Sequence, residues 1–148
     1  MPAGVPLTGP GYQLTETGTI ESISLPLAAG QKVQINSVIC WDTSNAGVVV
    51  KATGTSTTLQ PIGKAQAAVD NSAGTGTVMV PVRLGREHAI SWLDNDTGSN
   101  AVTLANLGTS QYLLDDHTAT TNSSGTSHSG VVWGLRDNGT TVGVEFPF

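Results

Sequence analysis

The feature that most constrains this chain is its rhythm. Short apolar and β-branched runs recur along it, and a cluster of Gly, Asn, Asp, Ser or Thr cuts each one off. The runs are Tyr12–Thr17, Thr19–Leu25, Lys32–Trp41, Gly47–Ala52, Ile62–Val69, Thr75–Leu84, Ala89–Leu93, Val102–Leu107, Val131–Leu135 and Thr141–Phe146. Between them lie PLAAGQ, DTSNAG, TGTSTT, DNSAGTG, DNDTGSN and RDNG. No extended stretch carries apolar residues at the 3.6 period of a helix. Short strands at roughly ten-residue spacing, separated by turn residues, build sandwiches and barrels. The expected fold is therefore all-β, a compact β-barrel or β-sandwich of short antiparallel strands. Gly63–Asp70, GKAQAAVD, fits one helical turn but reads better as strand.

A length of 148 residues suits one domain, large enough to bury about two-thirds of the unfolded chain's surface. Residues 1–12 hold three prolines and three glycines beside Val5, Leu7 and Tyr12. Proline fixes φ and lacks a donor, so this segment is expected to be an extended N-terminal arm before a single β domain over residues 13–148. Such an arm is either a loose terminus or a segment that docks on a neighbouring chain.

Charged residues make up 11% of the chain, against about 25% in ordinary domains. Hydroxyls, amides and 18 glycines supply the polarity instead. The net charge is −5, with six Lys and Arg in all. That leaves no basic patch to neutralise phosphates, which argues against nucleic acid and against an anionic membrane as partners. No apolar run approaches the roughly 18 residues of a membrane span. The first residues lack the basic and apolar segments of a secretory leader. Cys40, inside VIC, is the one cysteine and reads as a small buried core residue.

The C-terminal hairpin gives a register. A two-residue loop at Asn138–Gly139 suits a type I′ turn, where both central residues take φ > 0. It sets Leu135 opposite Val142, Trp133 opposite Val144 and Val131 opposite Phe146 on one face, with Arg136 opposite Thr141, Gly134 opposite Gly143 and Val132 opposite Glu145 on the other. Elsewhere, DTSNAGV (Asp42–Val48) echoes DTGSNAV (Asp96–Val102), as two similar hairpin tips would.

Chemistry-bearing residues are sparse. TNSSGTSHSG (Thr121–Gly130) approaches the G-x-S-x-G elbow but misses its last glycine by one position, and a strand follows where a helix is needed. Ser127 is thus weak as a nucleophile, and the segment reads as a mobile polar loop. Asp115, Asp116, His117 and His128 are the cluster that offers metal ligands, without the spacing of a zinc site. His88 reads as a strand-edge residue. Asp94 and Asp96 alternate like part of a calcium loop, but no glutamate closes it. Glu16, Glu21, Glu87 and Glu145 are scattered, so no carboxylate pair is fixed for glycoside hydrolysis. Trp41, Trp92 and Trp133 sit in apolar runs and are expected in the core. No enzymatic activity, metal or cofactor is expected, and binding is the expected function.

One longer pattern adds to this. AAGQKVQINSVICWDTSNAGVVVKAT is followed by LQPIGKAQAAVDNSAGTGTVMVPVRL, and the chain ends in SGVVWGLRDNGTTVGVEF. The order is a glycine-led strand, a W-D turn, a second glycine-led strand, P-I-G-x-A, a small-residue segment, a V-x-V strand and a closing hairpin. Over residues 26–146 this resembles the bacteriophage head decoration, or capsid cement, proteins. The long Ser/Thr segment Thr118–Gly130 and the Pro/Gly-rich arm depart from that pattern.

The resemblance implies a structural virion protein on the outer surface of an icosahedral phage capsid. It would be assembled in a bacterial cytoplasm, with the major capsid protein as partner. It would also imply self-association, as a homotrimer at three-fold sites or alternatively a homodimer at two-fold sites. Repeated contacts on a symmetric shell gain strongly by avidity. Val5, Leu7 and Tyr12 in the arm, with Phe146 and Phe148 at the C-terminus, are the expected contact side chains. The alternative is a carbohydrate-binding or adhesion β module of a phage tail or cell surface. Cement predicts buried tryptophans; a sugar-binding module predicts an exposed one beside Asp or Asn on a loop.

Overall fold

The computed structural model of the chain describes residues 22–74, 76–85 and 89–147. The strands are β1 (Ser22–Pro26), β2 (Lys32–Val33), β3 (Val38–Asp42), β4 (Val49–Lys51), β5 (Leu59–Ala65) and β6 (Val69–Asp70), then β7 (Met79–Leu84), β8 (Ser91–Asn95), β9 (Ser110–Leu113), β10 (Thr118–Thr120), β11 (His128–Arg136) and β12 (Thr141–Glu145). The fold is all-β, as the sequence rhythm requires.

The strands make two larger bodies. An antiparallel sheet runs β1-β7-β5-β3-β4. It curls strongly, because Leu27, just past β1, bridges Val49 of β4 at the opposite edge. The second body is a closed barrel, β10-β8-β12-β11-β9, in which β10 and β8 run parallel. β2 and β6 form a separate two-stranded ribbon.

Alternation along the central strands joins the bodies. Val38 and Cys40 of β3 point toward the barrel, in a cluster with Leu93, Leu113, Val132, Val142 and Val144. Ile39 between them points the other way, into the curl of the sheet with Leu27, Val33, Val49, Ile62, Val80 and Val82. The period of two thus supplies two cores from one strand. Each fully buried aliphatic side chain contributes roughly 1.5–3 kcal/mol.

Several expected elements change. The run Lys32–Trp41 breaks into β2 and β3, with Asn36 at φ 70° in the turn between them. β5 begins at Leu59 and accommodates Pro61 at a register shift, where Ile39 faces Gly63 but Cys40 faces Pro61. Val102–Leu107 is not a strand. Thr103 N–H donates to Asn106 Oδ1 at 2.8 Å and the reciprocal cap is present, so a 3-10 turn forms over Leu104–Asn106. Of the two echoing segments, Asp42–Val48 is a hairpin tip between β3 and β4, whereas Asp96–Val102 holds a 3-10 turn at Gly98–Asn100 and closes no hairpin.

The closing hairpin follows the expected register at its turn and departs beyond it. Asn138 and Gly139 take φ 56° and 82°, and Thr140 N–H donates to Asp137 O at 3.2 Å. Arg136 faces Thr141, Leu135 faces Val142 and Gly134 faces Gly143. A bulge then intervenes, so that Val132, not Trp133, faces Val144, and Val131 faces Glu145. The extra residue is Trp133.

Candidate functional site

The segment Thr121–Gly130 is exposed over Asn122–Gly125 but anchored at Thr126 and Ser127, and its last three residues begin β11. Ser127 is 3% exposed. Its Oγ donates to Ser56 O at 2.8 Å and accepts from Leu59 N–H at 3.0 Å, binding the segment to the start of β5. Leu113 N–H donates to Ser127 O at 2.9 Å, and Thr126 Oγ1 donates to Asn122 O at 3.0 Å. A serine spending its hydroxyl this way is a structural tie and not a nucleophile. The surface pair is Ser110 Oγ and His128 Nδ1, 3.1 Å apart, with the imidazole stacked on Tyr112 at 4.7 Å between centroids. Both line a groove of about 550 Å³ with Thr43, Thr58, Gln60 and Thr126.

Three of the four metal-ligand candidates converge. The ligand atoms of Asp115, Asp116 and His117 lie within 4.8 Å of one another, while His128 stands apart against Tyr112. The cluster has local partners. His117 Nδ1 meets Asp116 Oδ1 at 2.9 Å and Asp115 Oδ1 at 3.2 Å. Ser37 Oγ donates to Asp116 Oδ2 at 2.6 Å, and Val38 N–H donates to Asp116 O at 2.6 Å. The cluster therefore ties the β9–β10 turn to the start of β3. Burial pushes the Asp116 carboxyl up, but the Ser37 and His117 hydrogen bonds and the nearby Lys51 charge outweigh it, leaving it below the usual range. The bond to Asp116 raises His117, against a smaller cost of burial.

In the Asp94–Asp96 segment, Asn95 and Asp96 have protein partners. Asn95 Nδ2 donates to Val102 O and Gly139 O at 2.8 and 2.7 Å, and Val102 N–H donates to Asn95 Oδ1 at 2.8 Å. Asp96 Oδ2 accepts from Thr120 Oγ1 at 2.7 Å. Cys40 is fully buried, and burial followed by the Asp42 charge pushes its thiol far up.

The tryptophans correct the sequence expectation. Trp41 and Trp92 are half-buried and Trp133 is 55% exposed, so none lies fully in the core. The bulge turns Trp133 outward while Val132 and Leu135 stay inward, and the indole Nε1–H donates to Glu145 Oε2 at 2.7 Å. On the same outer face Trp92, Gly143 and Gly134 stand in one cross-strand row. A Cβ on Gly143 would come within 3.0 Å of the Trp92 benzo ring, so only glycine gives that ring room. The Arg136 guanidinium lies 3.9 Å from the Trp92 centroid, a cation–π contact. Lys64 Nζ donates to Trp92 O, and burial lowers the Lys64 pKa against the pull of Asp94. Sequence reading missed this face. The paired glycines at 134 and 143 were its one local signal.

Phe146 corrects a second expectation. It is 4% exposed and packs in the core shared with Val132 and Val144, with its ring over Gly85. A residue that closes its own barrel cannot also cover a neighbour's surface. Val5, Leu7, Tyr12 and Phe148 lie outside the described residues, as do Glu16, Glu21, Glu87 and His88. No family model matches the chain, nor does any curated protein or solved structure.

Proposed function

We propose that this chain is a structural virion protein that binds the outer surface of an icosahedral phage capsid and cements neighbouring major capsid subunits. Besides the sequence resemblance, one observation carries the reading. The Pro/Gly-rich segment 1–12 precedes β1 in the sequence, and among the described residues β1 has β7 as its one sheet neighbour. Ser22, Ile23 and Ser24 are exposed along it. An outer sheet edge of this kind suits strand addition, in which main-chain hydrogen bonds hold two proteins together without charge. That matches a surface built from hydroxyls and amides. The test is cosedimentation with expanded, undecorated heads of the source phage, using the full chain and a chain lacking residues 1–12. Saturable binding at a fixed ratio to the capsid subunit supports the reading, and its loss on truncation assigns the arm. No binding by the full chain rejects it.

A carbohydrate-binding module is the second reading, and the exposure of Trp133 favours it. Sugars stack their apolar faces on accessible indoles. Trp133, however, stands on a strand bulge beside Glu145 and not on an Asp/Asn loop. Titration of tryptophan fluorescence with neutral oligosaccharides separates the two readings.

A further inference from the structure

We propose that the outer face of β11 and β12 around Trp133 is an interface between two copies of this chain, paired about a two-fold axis. Trp133 is 55% exposed, Leu104 69% and Leu107 43%. The 3-10 turn of Leu104, capped by Leu107, runs into the flank of β11, where Gly108 N–H donates to Val132 O at 2.8 Å and Val132 N–H donates to Thr109 O at 3.0 Å. Single exposed apolar residues are ordinary, but large ones gathered at one edge mark an interaction surface.

The exposure is built into the backbone. Without the bulge, the register set by the hairpin turn would carry Trp133 opposite Val144, whose side chain is fully buried. The bulge re-aims the indole outward, as bulges commonly do beside functional surfaces. The hydrogen bond to Glu145 then fixes the ring. A fixed ring loses little rotamer freedom when a partner arrives.

The charges select the partner. Arg136 stands in a row with Thr141 and Asp94, and Glu145 lies on the neighbouring strand beside Trp133. A face with both signs around an apolar centre complements itself. A two-fold axis brings the Arg136 of one copy toward the carboxylates of the other. A face meant for an anionic partner would carry one sign.

The three apolar side chains expose on the order of 300 Å² per copy, the size of a typical monomer's largest patch. Two such patches bring together roughly 600 Å² of apolar surface, so the polar rim must supply the other half of the roughly 1,200 Å² at the low end of specific interfaces. The resulting dimer is weak and forms at micromolar concentration. The inference rests on this face alone and is independent of capsid binding.

The test is sedimentation velocity of the full chain from low to high micromolar concentration, with Trp133→Ser and Leu107→Asp as variants. Circular dichroism and the thermal midpoint check that each variant folds. The wild type is expected to rise from 15.1 kDa toward twice that mass. Each variant is expected to weaken association at least tenfold. A wild type that stays monomeric, a trimer, or a dimer that both variants leave intact overturns the proposal. Quenching of Trp133 by maltohexaose in a monomeric wild type also overturns it, in favour of sugar stacking.

Discussion

Ser127 and Ser129 stand two residues apart, both buried, and their removal should have opposite effects. Ser127 Oγ serves two backbone groups, the Ser56 carbonyl at 2.8 Å and the Leu59 N–H at 3.0 Å. Ser127→Ala leaves the buried Leu59 N–H without its acceptor, and an unsatisfied buried group costs about 1–3 kcal/mol. Ser56 is partly exposed, so water can replace the lost donor there at little cost. The expected loss is about 2 kcal/mol, or a fall in Tm of roughly 4–8 °C for a chain of this size. Ser129 Oγ is fully buried and has no hydrogen-bond partner. Ser129→Ala removes a desolvated hydroxyl and creates only a small void, so its effect should run from neutral to about 1 kcal/mol stabilising. Urea unfolding of both variants, with unchanged m-values, makes the comparison. A Ser127→Ala variant within about 0.5 kcal/mol of wild type, the range of ordinary surface changes, would refute the reasoning. So would a Ser129→Ala variant less stable than Ser127→Ala.

Gly63→Ala should be among the most damaging substitutions. Its Cβ would sit 2.1 Å from the Arg83 carbonyl oxygen on the paired strand, and forcing β5 from β7 should cost about 3 kcal/mol or more in a thermal melt. The Asp115–Asp116–His117 cluster makes stability pH-dependent. Asp116 has a lowered folded pKa, so its contribution is present above the unfolded carboxylate value of about 3.9 and fades as pH falls through the folded one. His117 has a raised folded pKa, so its contribution is complete below about 6.5 and fades as pH rises through the folded one. The cluster's contribution should therefore peak between those values, and Asp116→Asn should flatten the acid side of a Tm-versus-pH curve. Cys40 should resist a thiol reagent in the folded protein and react at once in denaturant; labelling of native protein would contradict its burial. Acrylamide should quench one tryptophan well above the others in dilute protein, and Trp133→Phe should remove that component.

What the sequence carried locally was legible. The Asn138–Gly139 turn fixed three cross-strand pairs, because turn chemistry and alternation act over a few residues. The bulge at Trp133 was not legible, since nothing in VVWGLRDNG requires an extra residue. It appears only when β11 must match β12 and β9 together, with a second register shift between His128 and Gly130. Val102–Leu107 misled because its apolar residues look like a strand while Thr103 and Asn106 form a cap. β9 and β10 were missed because SQYL and TAT are short and polar, and their place in the barrel comes from neighbours far along the chain. The same cause hid the role of Ser127, whose partners lie about seventy positions away. The Asp115–His117 cluster could be read because its members are adjacent. Its structural use depended on Ser37, which sequence could not bring to it.

The most direct test of the cement role is to heat DNA-filled heads that lack the protein, with and without the purified chain, and follow DNA release by dye fluorescence. A protein that clamps neighbouring capsid subunits should raise the release temperature, saturating at a fixed ratio of chain to capsid subunit. Binding that leaves the release temperature unchanged would contradict cementing and reduce the chain to a passive surface ligand.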